Sequence, residues 1–378
     1  MIDWLGIDHL FELSGGEAVL GFLTPLFVCL ALFAAHMILP ARRVSGYVVN
    51  RETGAPLKYR LNGLLVFVVA HIVWWFELTG LPRDWFYRST MYAIDGGFVI
   101  AVVATTLLVF TEPEGEQKNR FLAWWFGRAQ ELQYFNRRFD MKMYFYLVGG
   151  TMFSLNAWSG AYWHHENVAD TNPGLYLYVA INSFYLLDYF VFERVQLYTY
   201  DLIHENIGFK LVWGGPFVWG WMFLVPLWGL APVSDPGFST GWTNVWLIGS
   251  ALLFFTGWAI GRGANLQKYS FKRWPERKFL GFIEPEYIEA GDRKILCNGF
   301  WGPARHFNYF GEGLYAISMG LVWGHFTNLW AWTYAIFIIS FFVPRQIEDD
   351  KRCAEKYGPE KWAEYQERVP YRIFPGVY

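Results

Sequence analysis

Seven stretches of roughly 18 or more apolar residues recur along this chain, and no other feature limits its fold so strongly. They run at about 17–39, 61–80, 91–110, 144–163, 175–192, 211–230 and 242–261. As a helix, a stretch of that length crosses a hydrocarbon layer about 30 Å thick. A chain in lipid must satisfy its backbone internally, and apolar blocks of this length do so as helices. The expected fold class is therefore an all-α polytopic membrane protein. An eighth block, 313–343, is too long for one straight span and is interrupted at Gly324-His325. It predicts a C-terminal helical hairpin and brings the expected count to nine helices. Only 17% of the 378 residues are charged, against about 25% in a typical soluble domain. A net charge of −2 gives no electrostatic footprint for nucleic acid.

The basic residues test this map, because excess Lys and Arg mark cytoplasmic loops. Residues 1–16 carry none, which also argues against a cleavable signal peptide. Loops 40–60, 111–143 and 193–210 carry five, six and two, and segments 262–312 and 344–378 carry nine and seven. Loops 81–90, 164–174 and 231–241 carry two, none and none. With the N-terminus outside, 29 of 31 basic residues face one side, provided that 313–343 turns back on itself. The chain reads as one domain, 1–378, with 1–260 mainly transmembrane and 261–378 forming a polar, cofactor-binding part. Its setting is a multi-pass position in the endoplasmic reticulum or a bacterial inner membrane.

Four constellations suit chemistry. In Asn265-Leu266-Gln267-Lys268-Tyr269-Ser270-Phe271-Lys272, the two lysines share a helix face and suit a phosphate. A juxtamembrane anchor to anionic headgroups is the plainer alternative. Gly299 to Glu312 concentrates Trp301, Arg305, His306, Asn308 and Tyr309 beyond what an interfacial aromatic belt requires. The tail holds Arg345, Asp349, Asp350, Cys353, Lys356, Tyr357 and Tyr365, or is simply a solvated amphipathic helix. Tyr198, Asp201, His204 and Glu205 follow a span closely, where ionisable groups are costly and are functional candidates. Three ligands are too few for a metal, and Cys29, Cys297 and Cys353 form no metal or disulfide pattern, so no metal is expected. Glu77, Asp95, Asp188 and Glu193 lie in apolar surroundings and are further proton-donor candidates or interhelical bonding groups. Gly261-Arg262-Gly263 follows a membrane helix, not a strand, which excludes a Rossmann domain.

From about residue 57 onward the chain resembles the membrane sterol reductases, the Δ14- and Δ7-reductases above all. Leu57 to Gly63 looks like their YRxNG segment, and Asp201 to Phe209 like their D-x-x-H-[D/E]-x-x-G-F segment. Asn265 to Lys268 matches NLQK, Gly299 to Gly311 matches G-[W/F]-WG-x-ARH-x-NY-x-G, and Val369 to Gly376 matches the ending. The resemblance implies about ten membrane helices and a cytoplasmic-side NADPH pocket. Lys268, Lys272, Leu296, Trp301, Asn308, Tyr309, Arg345, Asp349, Cys353, Lys356, Tyr357 and Tyr365 occupy the corresponding positions, and Arg305 and His306 belong with them. The lysines and Arg345 would neutralise phosphates, and Trp301 and Tyr309 would pack on rings. Lys272 stands where the family usually has Arg, and Glu205 where many members have Asp. Gln133 to Asp140 replaces an NPR segment, and Trp219 to Trp228 replaces a polar LQ. One extra residue lies near Pro359-Glu360.

The expected reaction is NADPH-dependent reduction of a sterol C=C bond. A protein acid in the 198–205 segment would protonate the bond, and hydride would quench the cation where water is excluded. Membrane lipid and a sterol are the expected partners. An S-adenosylmethionine-dependent membrane methyltransferase shares the Arg-His-x-x-Tyr-x-Gly-Glu segment at 305–312 but has no use for the NLQK lysines. A non-enzymatic sterol-binding scaffold is the third reading.

Overall fold

The computed structural model describes residues 5–50, 53–111 and 119–378, without the side chains of 110 and 111. Arg51 and Lys118, counted above among the loop cations, lie outside the described residues, as do residues 1–4. The protein is mostly helical and divides into two compact units, Met1–Asp235 and Pro236–Tyr378. Five helices among the described residues are long and apolar enough to cross a membrane.

The first unit opens with α1 (Gly15–Ile38) and a surface hairpin, β1 (Arg42–Val49) against β2 (Pro56–Leu61). The sequence reads 40–60 as a plain loop. The hairpin forms because Val44, Leu57 and Tyr59 alternate onto one face and bury against Met143, Leu197 and Leu202. The helix expected over 61–80 is shorter: α2 (Gly63–Trp75) gives way before Glu77, whose φ of 51° no helix accommodates. Next come α3 (Thr90–Thr111) and two short paired strands, β3 (Gln133–Tyr134) and β4 (Phe139–Asp140).

Helix α4 (Met141–Asn167) is the hub of this unit. Between 142 and 160 only Tyr146 and Trp158 are not buried. Because protein surrounds it, α4 carries polar side chains that a lipid-facing helix would not. Ser154 hydroxyl lies 2.8 Å from His71 Nε2, Ser159 accepts the Tyr87 N–H at 3.0 Å, and Asn156 donates to the Gly220 carbonyl at 2.8 Å. Helices in lipid gain little from apolar contact with each other, so such bonds and close packing hold them together. Asp140 caps α4 by accepting from Met143 N at 3.0 Å. Helix α5 (Pro173–Val191) has Asn172 as its cap and proline at its first position. The span over 209–230, α6 (Phe209–Leu230), is broken. Gly214-Gly215-Pro216 opens a π-helical stretch, and a 3₁₀ turn at Met222–Leu224 precedes Pro226.

The second unit begins with α7 (Thr240–Arg273), which continues three turns past the apolar stretch ending near 261. The hairpin β5 (Tyr287–Ala290) and β6 (Arg293–Leu296) follows. Block 313–343 is a helical hairpin, as its length and its Gly-His interruption predict. Helix α8 (Phe307–Leu321) and helix α9 (Leu329–Tyr357) flank a turn in which Gly324 adopts φ +73°. Helix α10 (Pro359–Arg368) closes the chain's regular structure. Glycine brings α7 and α8 into backbone contact. A Cβ on Gly257 would lie 2.5 Å from the Gly311 carbonyl oxygen, and one on Gly311 would lie 2.6 Å from Gly261 N.

Candidate functional site

The polar extension of α7 builds one wall of the candidate site in the second unit. Gln267 is buried, accepts the Phe300 N–H at 2.8 Å and donates to the Asn298 carbonyl at 3.2 Å. Gly299, at φ +62°, lets the loop close over that amide. Trp301 donates its indole N–H to the Ala264 carbonyl at 2.9 Å, and Lys268 Nζ lies 5.1 Å from its ring centroid. Burial, then the charges of Lys268 and Lys356, push Lys272 down to about 7, and burial, then Lys268, lowers Lys356. Neither Lys268 nor Lys356 has a carboxylate within ion-pair distance among the described residues. A bound polyanion would restore full charge to this group, which suits it to one. Cys353 sits beside them, its thiol pushed up chiefly by burial, so it is a neutral packing group at physiological pH.

Arg305 and His306 are placed differently from these lysines. Both are buried and turned toward the tail. Arg305 donates to the Val369 and Pro370 carbonyls at 2.9 and 2.8 Å and reaches Asp350 at 3.3 Å. His306 Nε2 lies 3.0 Å from the other Asp350 oxygen, and Arg372 approaches at 3.6 Å. Burial alone would raise Asp350, but His306 and Arg305 outweigh it and hold the carboxyl below its ordinary range. The ARH motif therefore clasps the tail, and through α9 it positions Asp349. The Tyr309 hydroxyl donates to Asp349 at 2.6 Å, and its ring stacks on His306 and Phe342 at 5.3 and 4.3 Å. Arg345 lies close enough to Tyr309 to act on its hydroxyl. The Asn308 amide oxygen is buried without a hydrogen bond. Cys353 and Tyr357 pack against the cluster of Ile288, Ile295, Trp362 and Tyr365, and Leu296 is buried at the end of β6.

In the first unit, Asp201 accepts from the Tyr146 hydroxyl at 2.8 Å. Tyr198 packs edge-on to Tyr47 at 5.8 Å. His204 is exposed beside the Tyr200 ring, and Glu205 is ion-paired with Lys210 at 2.8 Å. Of the four residues singled out in 198–205, Asp201 is held by a hydroxyl from α4. Of the other acids, Glu193 accepts from Gly63 N at 3.2 Å and so caps α2, while Glu77 pairs with Arg83 at 3.4 Å. Asp188 is buried, and Asp95 is exposed. Among the described residues, no group of three or more His, Cys, Asp or Glu is arranged to hold a metal.

Sequence reasoning missed Glu131, Asp140, Lys142 and Tyr146. Lys142 was counted as an ordinary loop cation, yet its side chain is fully buried. The signal was present: Asp140 and Lys142 bracket the first residue of a long buried helix, where an unpaired charge is costly.

Long apolar helices with a cation-rich polar end define a polytopic membrane protein. The model of the Ergosterol biosynthesis ERG4/ERG24 family matches residues 11–378, and the chain belongs to that family. It is 30% identical over 379 residues to the Delta(14)-sterol reductase of Arabidopsis thaliana, covering 93% of this chain and 95% of the relative. The Delta(14)-sterol reductase of Methylotuvimicrobium alcaliphilum is 32% identical over 344 residues, covering 86% of this chain and 76% of its own. The 7-dehydrocholesterol reductase of Danio rerio is 29% identical over 391 residues, covering 94% and 77%.

Proposed function

We propose that this protein reduces a C=C bond of a sterol, Δ14 or Δ7, with NADPH as the reductant. The observation that carries the reading is the gathering of Lys268, Lys272 and Lys356 at the polar end of α7, beside Trp301 and, among the described residues, without a carboxylate within ion-pair distance of Lys268 or Lys356. That donor set fits a dinucleotide carrying several phosphates. The lysines would hold the phosphates, and Asn308, whose buried amide oxygen has no hydrogen bond, would supply a polar contact. When bound, NADPH supplies hydride. The chain's own part is to supply a proton and to exclude water. For the proton, Asp201 is the acid we favour, with Tyr146 as its hydrogen-bond partner and Glu205 as a neighbouring charge. The relatives named as sterol reductases support this choice of substrate class.

The experiment is turnover by detergent-purified protein offered Δ14-, Δ7- and Δ24-unsaturated sterols with NADPH. A product heavier by two hydrogens with one of them names the bond. No product from any sterol, together with tight S-adenosylmethionine binding, would overturn the reading. Lys268→Ala is expected to weaken NADPH binding by about tenfold to a hundredfold, the loss of one charge-assisted contact. Asp201→Asn is expected to abolish turnover while NADPH still binds; normal turnover in that variant and in Glu205→Gln would remove the segment from the mechanism.

A further inference from the structure

The first unit holds a set of ionisable groups that the reading above leaves unused. Segment 129–133 runs beside 201–207: Gln130 donates to the Ile203 carbonyl, and Ile207 N donates to the Ala129 carbonyl at 2.8 Å. Between them stands Lys142, whose Nζ donates to the main-chain carbonyls of Asp201 and Leu202, both at 3.2 Å, while the Asp201 carboxylate lies near enough to act on it through its charge. Glu131 lies 3.6 Å from the same Nζ. Both Glu131 carboxyl oxygens are buried, with the Tyr59 hydroxyl, Asp140 and Lys142 as their polar neighbours. A cleft of about 430 Å³ reaches Glu131, walled by Asn50, Arg128, Gln133 and Arg137.

Two carboxyls and one lysine cannot all be ionised here without leaving a net negative charge out of water. Burial, and then the Asp140 charge, push the Glu131 carboxyl up to about 8, against the pull of Lys142. Asp140 is itself raised by burial, although Met143 N and Gln133 hydrogen-bond to it. The Tyr59 hydroxyl, from β2, also faces Glu131 and is raised by burial and by that carboxylate. The Glu131–Asp140 pair therefore keeps one proton at neutral pH.

We propose that Glu131 is the proton-uptake group of this enzyme, taking a proton from water in the cleft and passing it across Lys142 to Asp201. The inference rests on the reductase reading, because each C=C bond reduced consumes one proton besides the hydride. A solvent proton adds to the Glu131 carboxylate. The Lys142 ammonium gives one proton to the Asp201 carboxylate and accepts the Glu131 proton in its place. Once the Asp201 proton has bonded to substrate carbon, every group is back in its starting charge state. The only reductant is the hydride donor. Glu131 acts through other residues and touches no reacting atom, so it is a positioning and supply residue.

Glu131→Gln in the full-length protein tests this in two ways. By infrared spectroscopy, the wild type is expected to show a protonated-carboxyl band at neutral pH that titrates away near pH 8 and is missing from the variant. A band that persists unchanged in Glu131→Gln overturns the proposal. By kinetics, the variant is expected to lose about tenfold or more in kcat, the scale of lost proton-transfer assistance. Its solvent isotope effect should rise and its sterol KM and NADPH affinity should be unchanged, with partial rescue in Glu131→Asp. Wild-type kcat with an unaltered pH profile would sink the relay, and so would a loss confined to KM. If the wild type reduces no sterol yet shows the band, the reductase reading has failed and the proton's destination falls with it. A missing band in an active wild type defeats the proposal alone.

Discussion

Asp350 shows what a single carboxylate contributes when it is buried among Arg305, His306 and Arg372. Its native pKa is depressed because the cationic partners outweigh burial. Stability from this group is therefore fully present above the ordinary carboxylate pKa of about 4 and is lost as pH falls through the native value. Asp350→Asn leaves Arg305, only 5% exposed, without its counter-ion. The expected cost is about 3–5 kcal/mol, the scale for breaking one partner of a buried pair. Thermal unfolding in detergent at neutral pH checks it, and the gap to wild type should narrow in acid. Glu131 has the opposite sign. Its raised pKa makes the folded state the better proton binder between about pH 4 and 8, so stability falls as pH rises through that window. Glu131→Gln is expected to unfold at or above the wild-type temperature at pH 8 and to lose that advantage near pH 5. At this scale the sequence was legible where charge density was unusual, as in Lys268 and Lys272. It was not legible for Glu131 and Lys142, which look like loop residues until the fold buries them.

At the scale of elements, glycine decides how closely helices approach. Gly257 and Gly261 are one turn apart on α7, and both face the backbone of α8 near Gly311. Small residues four apart let helix backbones touch, which replaces apolar driving force inside a bilayer. Gly257→Leu is expected to separate α7 from α8 and to lower the thermal midpoint and NADPH affinity together. Wild-type affinity in that variant would show that the two helices hold their positions without the contact. The hairpin at 313–343 was readable from length and charge, whereas the close approach at Gly257 and Gly261 appears only once α8 is packed against α7. The break in α6 was not anticipated, because 211–230 reads as one continuous apolar stretch. The β1–β2 hairpin was missed because its alternation is short and its partners are distant residues of the same unit.

At the scale of the molecule, the sidedness of the basic residues predicts an orientation with the N-terminus outside. Helix α4 is 27 residues long, about 40 Å at 1.5 Å per residue, and so exceeds a hydrocarbon core of about 30 Å. Hydropathy alone understates it, because its surroundings are protein and it can afford serine, asparagine and histidine. In a background lacking native cysteines, Arg137→Cys and Ala169→Cys are expected to react with a membrane-impermeant thiol reagent from opposite sides. Labelling of both from one side would remove α4 as a span and the charge-based topology with it.

The clasp made by Arg305 and His306 also sets a schedule for biogenesis. The groups it grips, the Val369 and Pro370 carbonyls and the Arg372 side chain, are synthesised well after the lysines of α7 and the turn at Gly324. Until residues 369–372 have been synthesised, Arg305 lacks the Val369 and Pro370 carbonyls and is held by Asp350 of α9 alone. The full set of bonds on Arg305 is thus among the last contacts of the second unit to form.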